Sequence, residues 1–171
     1  AKNECLEHLA KCDYIFLFDD DVFFIKPHWD KFFIDSGHKH LLYMIESYQP
    51  VERGDYVTKY KDCSGCFIFI TKEVFENIGY FNSKHGAYGY EHSGYSVRAN
   101  KYIGESYFLS LNQTNQYLYS LDLQGDGGHR IQHNKLFTPQ EISSFIETGR
   151  EVFLEEINGE KLYYGPEDIE C

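Results

Sequence analysis

The chain has 171 residues, an aromatic content of 18% and a formal net charge of −11 at pH 7. This length suits one domain with a hydrophobic core, so we expect residues 1–171 to form a single unit. The aromatic content excludes a disordered chain, and the acidic balance argues against nucleic-acid binding because a phosphate backbone would be repelled. No apolar stretch approaches the length of a membrane span, and the first residues show no secretory leader.

The five cysteines form an odd and sparse set. Cys63 and Cys66 have the spacing of a redox or zinc pair, but no second pair completes a tetrahedral zinc set nearby. Cys66 also opens an apolar run, which favours a small buried residue over a reactive thiolate. Free thiols are typical of a reducing compartment, so the sequence predicts a cytoplasmic location.

The first half of the chain alternates helical and strand patterns, which predicts an α/β fold with a mainly parallel sheet. The polar stretch 49–61 contains Pro50 and Gly54 and reads as a long connection that carries a ligand. Helices are expected at 2–12 and around 29–33, and strands at 14–18, 40–46 and 66–70, while the stretch 22–25 is apolar.

The second half carries clearer helix boundaries. Thr71 caps a helix predicted over 72–78, and Gly79 ends it. Another helix is expected at about 90–100, weakened by Gly94, and a strand at 118–123. The last helix begins with a capping box at Thr138 and Glu141. Its rival is a hairpin that turns at 158–159, and we favour the helix.

Three consecutive aspartates, Asp19, Asp20 and Asp21, follow the apolar run 14–18 directly. Three carboxylates at the end of a buried strand repel one another unless a cation or a cationic ligand neutralises them. Ligands of open α/β sheets bind at the carboxyl ends of strands. The pattern therefore indicates a divalent-metal site for a phosphate-bearing substrate, and a solvated acidic turn is the alternative.

Three stretches in the right order resemble the family-two-type glycosyltransferases of the GT-A fold. The first joins Lys2 and Asn3 to the acids at 19–21, like the A-[RK]-N-x-G-L and D-x-D motifs of that family. The second covers 64–81 and resembles the acceptor-side strand and helix. The third covers 88–98 and resembles the W-G-x-E-D segment with its following arginine. The likeness spans residues 1 to about 100, and little of it extends beyond 110.

The resemblance implies a three-layer α/β/α sheet of the nucleotide-diphospho-sugar transferase type. It also implies that Asp19 and Asp21 hold Mn²⁺ or Mg²⁺ against the diphosphate of the donor, with Asp20 as a spare ligand or a sugar contact. Hard carboxylate oxygens suit such a metal, and a bound cation stabilises a departing diphosphate. A late histidine is the implied third ligand, for which His129 and His133 are the candidates and His129 is preferred.

Inverting transfer needs a base that accepts the proton of the acceptor hydroxyl. The family pattern places this base at His92, which follows Glu91. A histidine suits the task because its intrinsic pKa lies near neutrality. Glu91 is the other candidate, with His92 orienting it or binding the acceptor, and the sequence gives Glu91 a small preference.

The likeness begins at the helix before the metal strand, so we expect an N-terminally truncated fold that lacks the part gripping the nucleotide base. An exposed sheet edge would then invite self-association. The sequence thus predicts metal-dependent transfer of a sugar from a nucleotide sugar, such as a UDP-sugar, to a glycan in polysaccharide synthesis. The alternatives are a non-catalytic carbohydrate- or metal-binding remnant and another metal-dependent phosphotransferase or hydrolase. The absence of a P-loop and of a nucleophile elbow weakens the last alternative.

Overall fold

A computed structural model describes residues 2–44, 48–86, 89–120 and 137–168. The fold is mixed α/β with small antiparallel sheets. Its helices are α1 (Lys2–Leu9), α2 (Trp29–Ile34), α3 (Lys72–Ile78), α4 (Glu91–Ile103) and α5 (Pro139–Asn158). Its strands are β1 (Tyr14–Phe18), β2 (Val22–Phe24), β3 (His40–Leu42), β4 (Pro50–Arg53), β5 (Val57–Tyr60), β6 (Phe67–Thr71), β7 (Phe108–Leu111) and β8 (Leu118–Ser120).

The central sheet has the strand order β1–β6–β3, and β6 is antiparallel to both neighbours. The prediction of a mainly parallel sheet is therefore wrong for the described residues, where the only parallel contact is an isolated bridge between Gly79 and Tyr164. The reason is topological: β1 and β3 do run in the same direction, but β6 lies between them in the opposite one. On the other side of β1, no described strand pairs with it.

Both faces of the central sheet are buried, because apolar residues occupy successive positions along β6. Ile68 and Ile70 belong to one core, and Phe67 and Phe69 belong to the other. The first core contains Leu6 of α1, Val74 of α3 and Tyr95 of α4, and the second contains Phe33 of α2 and Leu109 of β7.

The polar stretch 49–61 is not the predicted long connection. It forms the hairpin β4–β5, whose turn is closed by the Gly54 amide donating to the Val57 carbonyl at 3.0 Å. Strand β7, which the sequence did not predict, pairs with β5 and completes a second sheet in the order β4–β5–β7. A third sheet joins β2 to β8.

The predicted helix at 72–78 is confirmed with the same bounds. The capping box of α5 is also confirmed, because the Thr138 hydroxyl accepts from the Glu141 amide and the Glu141 carboxylate accepts from the Thr138 amide. The rival hairpin is therefore wrong, since α5 continues through 158. The predicted strand at 118 is seen to Ser120, and its last three positions lie outside the described residues.

A buried charged cluster joins α4 to α5. Arg98 Nε donates to Glu156 Oε1 at 3.1 Å, and His85 Nε2 lies 2.8 Å from Glu156 Oε2. The other Arg98 nitrogens donate to backbone carbonyls, which include that of Ile78 at 2.7 Å. Gly94 is required where Glu156 approaches α4, because a side-chain carbon there would collide with the carboxylate. Both oxygens of Glu156 and all three nitrogens of Arg98 therefore have hydrogen-bond partners, which offsets the cost of burying the two charges.

The described helices include none that is both long enough and apolar enough to cross a membrane.

Candidate active site

The three acids lie in a tight turn between β1 and β2. The Asp19 amide donates to the Cys66 carbonyl at 3.0 Å, which extends the β1–β6 pairing by one position. The Val22 amide then donates to the Asp19 carbonyl at 3.1 Å and closes the turn. Asp20 is exposed, whereas Asp19 and Asp21 are partly buried. The acids therefore lie at the end of the buried strand, where the sequence places them.

Glu91 and His92 lie beside this turn, at the first residues of α4. Tyr90 precedes them with a φ of 64°, a left-handed conformation that directs the chain into the helix. His92 Nε2 is 3.9 Å from Asp19 Oδ1, and His92 Nδ1 is 3.2 Å from Glu91 Oε1. Residues more than seventy positions apart in the sequence, which were predicted to act together, are thus adjacent in the structure.

Lys2 completes the cluster, although no role was predicted for it. Its Nζ lies 3.3 Å from Asp19 Oδ1 and 3.9 Å from Glu91 Oε1, and it also contacts His92 Nε2. Asn3 anchors this end of α1, because its side-chain amide donates to and accepts from the backbone of Phe81. The sequence did contain a signal for both residues, because Lys2 and Asn3 belong to the first motif of the family resemblance.

The imidazole of His92 is held in its neutral form. Burial is the main cause that lowers its pKa below the ordinary value, and the Lys2 ammonium lowers it further. Glu91 and Asp19 act in the opposite direction, because their negative charges favour the imidazolium ion. With the lowered pKa, the ring is available at neutral pH as a proton acceptor.

Two features hold the His92 ring in place. Glu91 contacts Nδ1, and Gly65 packs so closely against the ring that any side-chain carbon at position 65 would overlap it. Neither neighbouring thiol has the features of a reactive thiolate, as the sequence suggested for Cys66. Burial raises the pKa of Cys63 to about 12, and Cys66 is almost completely buried.

Four other residues of interest from the sequence lie outside the cluster around Lys2 or outside the described residues. His129 and His133 lie outside the described residues, so their role as metal ligands stays a prediction. Trp29 stacks on Phe24 with ring centroids 3.9 Å apart, so at least one of its faces serves core packing. Arg98, the arginine of the third resembling stretch, pairs with Glu156 in the buried cluster.

Within the part of the chain that the structure describes, no group of three or more His, Cys, Asp and Glu side chains is arranged to hold a metal ion. The cluster at the acidic turn instead surrounds the ammonium of Lys2. This arrangement shows that a positive charge is accommodated between Asp19, Glu91 and His92.

Comparisons with protein-family models, with curated proteins and with solved structures found no match to this chain.

The electrostatic account predicts that Lys2→Met raises the pKa of His92. Removing the ammonium removes a charge that opposes protonation, while Glu91 and Asp19 continue to favour it. The midpoint of the His92 ring-proton titration, followed by NMR, should therefore move to higher pH. Lys11→Met is the matched control, since Lys11 is an exposed lysine just beyond the other end of α1. A His92 midpoint that stays unchanged or moves to lower pH in Lys2→Met would contradict this account.

Proposed function

We propose that this chain binds a nucleotide sugar through Mn²⁺ or Mg²⁺ and transfers the sugar, with inversion, to a hydroxyl of a glycan. The observation that carries the proposal is the convergence of Asp19, Glu91 and His92 around one cation. The sequence analysis predicts a role for each of these residues, and they come from different segments of the chain. We assign the chain, on the same grounds, to the three-layer GT-A type, and the burial of helices on both faces of the central sheet supports this assignment.

The residues at the turn fit a hard divalent cation. Mg²⁺ in phosphate-handling sites is commonly held by one or two carboxylates, with substrate phosphates and water as the other ligands. Asp19 and Asp21 supply the two carboxylates, so a third protein ligand is not required. The ammonium of Lys2 lies 3.3 Å from Asp19 Oδ1, so the negative charge here attracts a cation, and a bound metal ion would take the place of this ammonium. When bound, the metal would neutralise the negative charge that develops on the departing nucleoside diphosphate.

The protein side chains supply the proton transfer. The Glu91 contact with Nδ1 favours the tautomer in which Nδ1 carries the proton, which leaves a lone pair on Nε2. The Lys2 ammonium contacts Nε2 in the structure, so it would have to move toward the donor phosphate before Nε2 accepts a proton from the acceptor hydroxyl. Glu91 then stabilises the imidazolium ion that forms. This geometry favours His92 as the base and Glu91 as its orienting partner. The ammonium of Lys2 is a compact point charge, which suits a phosphate oxygen of the donor.

A second candidate is a non-catalytic carbohydrate- or metal-binding remnant of a glycosyltransferase domain. The observation in its favour is that the described residues contain no ready group of three metal ligands. Such a protein would bind a glycan without any dependence on metal and would transfer nothing.

The metal assignment predicts that Asp19→Asn abolishes the effect of Mn²⁺ on nucleotide binding. Calorimetric titration of UDP and UDP-sugars should show affinity that Mn²⁺ increases in the unaltered chain. In Asp19→Asn the affinity with Mn²⁺ should fall by about tenfold or more, a loss of about 1.4 kcal/mol in binding free energy. Asp13→Asn is the control, because Asp13 is an exposed aspartate on the opposite end of β1. A nucleotide affinity that changes neither with Mn²⁺ nor with the Asp19→Asn substitution would refute the proposed function.

The assignment of the base predicts different losses at two neighbouring positions. His92→Gln should reduce sugar transfer by about 10²-fold or more, because it removes the proton acceptor. Glu91→Gln should cause a smaller loss, since the ring keeps its Nε2 and loses only its orienting carboxylate. Transfer is measured as release of nucleoside diphosphate at saturating Mn²⁺. The reverse order, with Glu91→Gln the more damaged variant, would make Glu91 the base.

A further inference from the structure

A cavity of about 1050 Å³ opens beside the sheet β4–β5–β7, away from the cluster around Lys2. Its walls come from that sheet, from the residues after β3 and from β8. The volume is in the range of cavities that bind small organic ligands.

The lining of this cavity has a distinctive composition. Tyrosine rings, amides and hydroxyl groups predominate, and aliphatic side chains are few. Although the chain has a net charge of −11, no carboxylate is among the described lining residues, and Arg53 is the one charged side chain there. Tyrosine faces pack against the apolar faces of sugar rings, and amides and hydroxyls match sugar hydroxyl groups. These features point to a carbohydrate rather than to an apolar ligand.

Part of the wall is rigidly held. The Thr58 hydroxyl donates to Asn112 Oδ1 at 2.7 Å, and Asn112 Nδ2 donates to the Gly54 carbonyl at 2.7 Å. These bonds fix the β4–β5 turn to the end of β7. A wall that is ordered before the ligand arrives reduces the entropic cost of binding.

Arg53 places a positive charge at one end of this wall, where an anionic group could bind. Its side chain is exposed, and no carboxylate pairs with it among the residues that the structure describes. Burial raises the pKa of Tyr60, and the nearby positive charge of Arg53 acts in the opposite direction. A guanidinium ion binds a carboxylate or sulfate group with two parallel hydrogen bonds.

Two contacts connect the walls of the cavity to the segments that flank the acidic turn. Strand β8, which contributes Tyr119, pairs with β2 so that Ser120 lies opposite Val22, the residue after Asp21. On the other side, the Cys66 thiol donates to the carbonyl of Tyr43, another lining residue. The walls of the cavity are therefore bonded to the segments that flank the acidic turn, although Lys2, Asp19, Glu91 and His92 are not among its described lining residues.

We propose that this cavity binds an oligosaccharide that carries a carboxylate or sulfate group. The rings of Tyr60 and Tyr119 pack against its sugar units, and Arg53 pairs with its anionic group. Its role as the acceptor of sugar transfer rests on the proposed function, whereas the binding itself requires neither metal nor nucleotide.

The test is binding of the tagged protein to an array of neutral, uronate-bearing and sulfated oligosaccharides, in EDTA and without nucleotide. We expect signals on anionic glycans, and a loss of about tenfold in their apparent affinity for Arg53→Gln, because a charge-assisted pair is lost. Arg150→Gln is the matched control, since Arg150 is an exposed arginine on α5. Tyr119→Leu, which keeps an apolar residue in β8, should weaken binding to the same glycans.

Three results would overturn the inference. One is the absence of signal on every class of glycan, and another is equal binding of neutral and anionic glycans that Arg53→Gln leaves unchanged. The third is metal-free binding of UDP that depends on Arg53, which would make the cavity a nucleotide site. Glycan binding should persist in Asp19→Asn, so failure of the metal-dependent function and failure of this inference give different results.

Discussion

The structure around the candidate site depends on one electrostatic constraint, which is that carboxylates at the end of a buried strand require a nearby positive charge. The middle of strand β1 is buried, since Ile15 and Leu17 belong to one core and Phe16 packs against the other, and Asp19 directly follows its exposed last residue, Phe18. The ammonium of Lys2 supplies the charge at 3.3 Å. Because Lys2 belongs to α1 and Glu91 and His92 belong to α4, these ion pairs form where the two helices meet at the same end of the sheet. A divalent cation bound at this turn would be stabilised by the same negative charges.

The rest of the molecule fixes the position of α4, from which Glu91 and His92 extend. Arg98, on the same helix, is bonded to Glu156 of α5 and to backbone carbonyls. Removing one partner of such a buried pair leaves an uncompensated charge, so the pair resists any shift of α4 relative to α5. Gly94 and Gly65 allow the close approaches on which this arrangement depends. The rigidity of α4 matters because proton transfer requires the His92 ring to be held in place.

Local signals in the sequence predicted the elements whose boundaries are set locally. The run 14–18 became β1, and the capping residues Thr138 and Glu141 begin α5 as expected. Strand direction is not encoded locally, so β6 was wrongly expected to be parallel to its neighbours. The hairpin β4–β5 was missed because Pro50 and Gly54 are typical of loops, and its pairing depends on the distant strand β7.

The candidate site was predictable only in part, for a similar reason. Asp19, Glu91 and His92 were named through motifs, and the fold brings them together. Lys2 was missed although it belongs to the first motif of the resemblance, because that motif was used to locate the acids at 19–21 and no chemistry was assigned to its lysine. The cavity near Arg53 was not predicted either, since its lining residues are scattered from β3 to β8 and converge only in three dimensions.

The central claim is that a divalent cation binds at the turn formed by residues 19–22. Paramagnetic broadening of NMR signals by substoichiometric Mn²⁺, in the presence of UDP, measures this most directly. The account predicts that broadening is strongest for the amides of that turn and for the ring protons of His92, and that excess Mg²⁺ reverses it. Broadening centred on other acidic surfaces, with the signals of the turn and of His92 unaffected, would contradict the account.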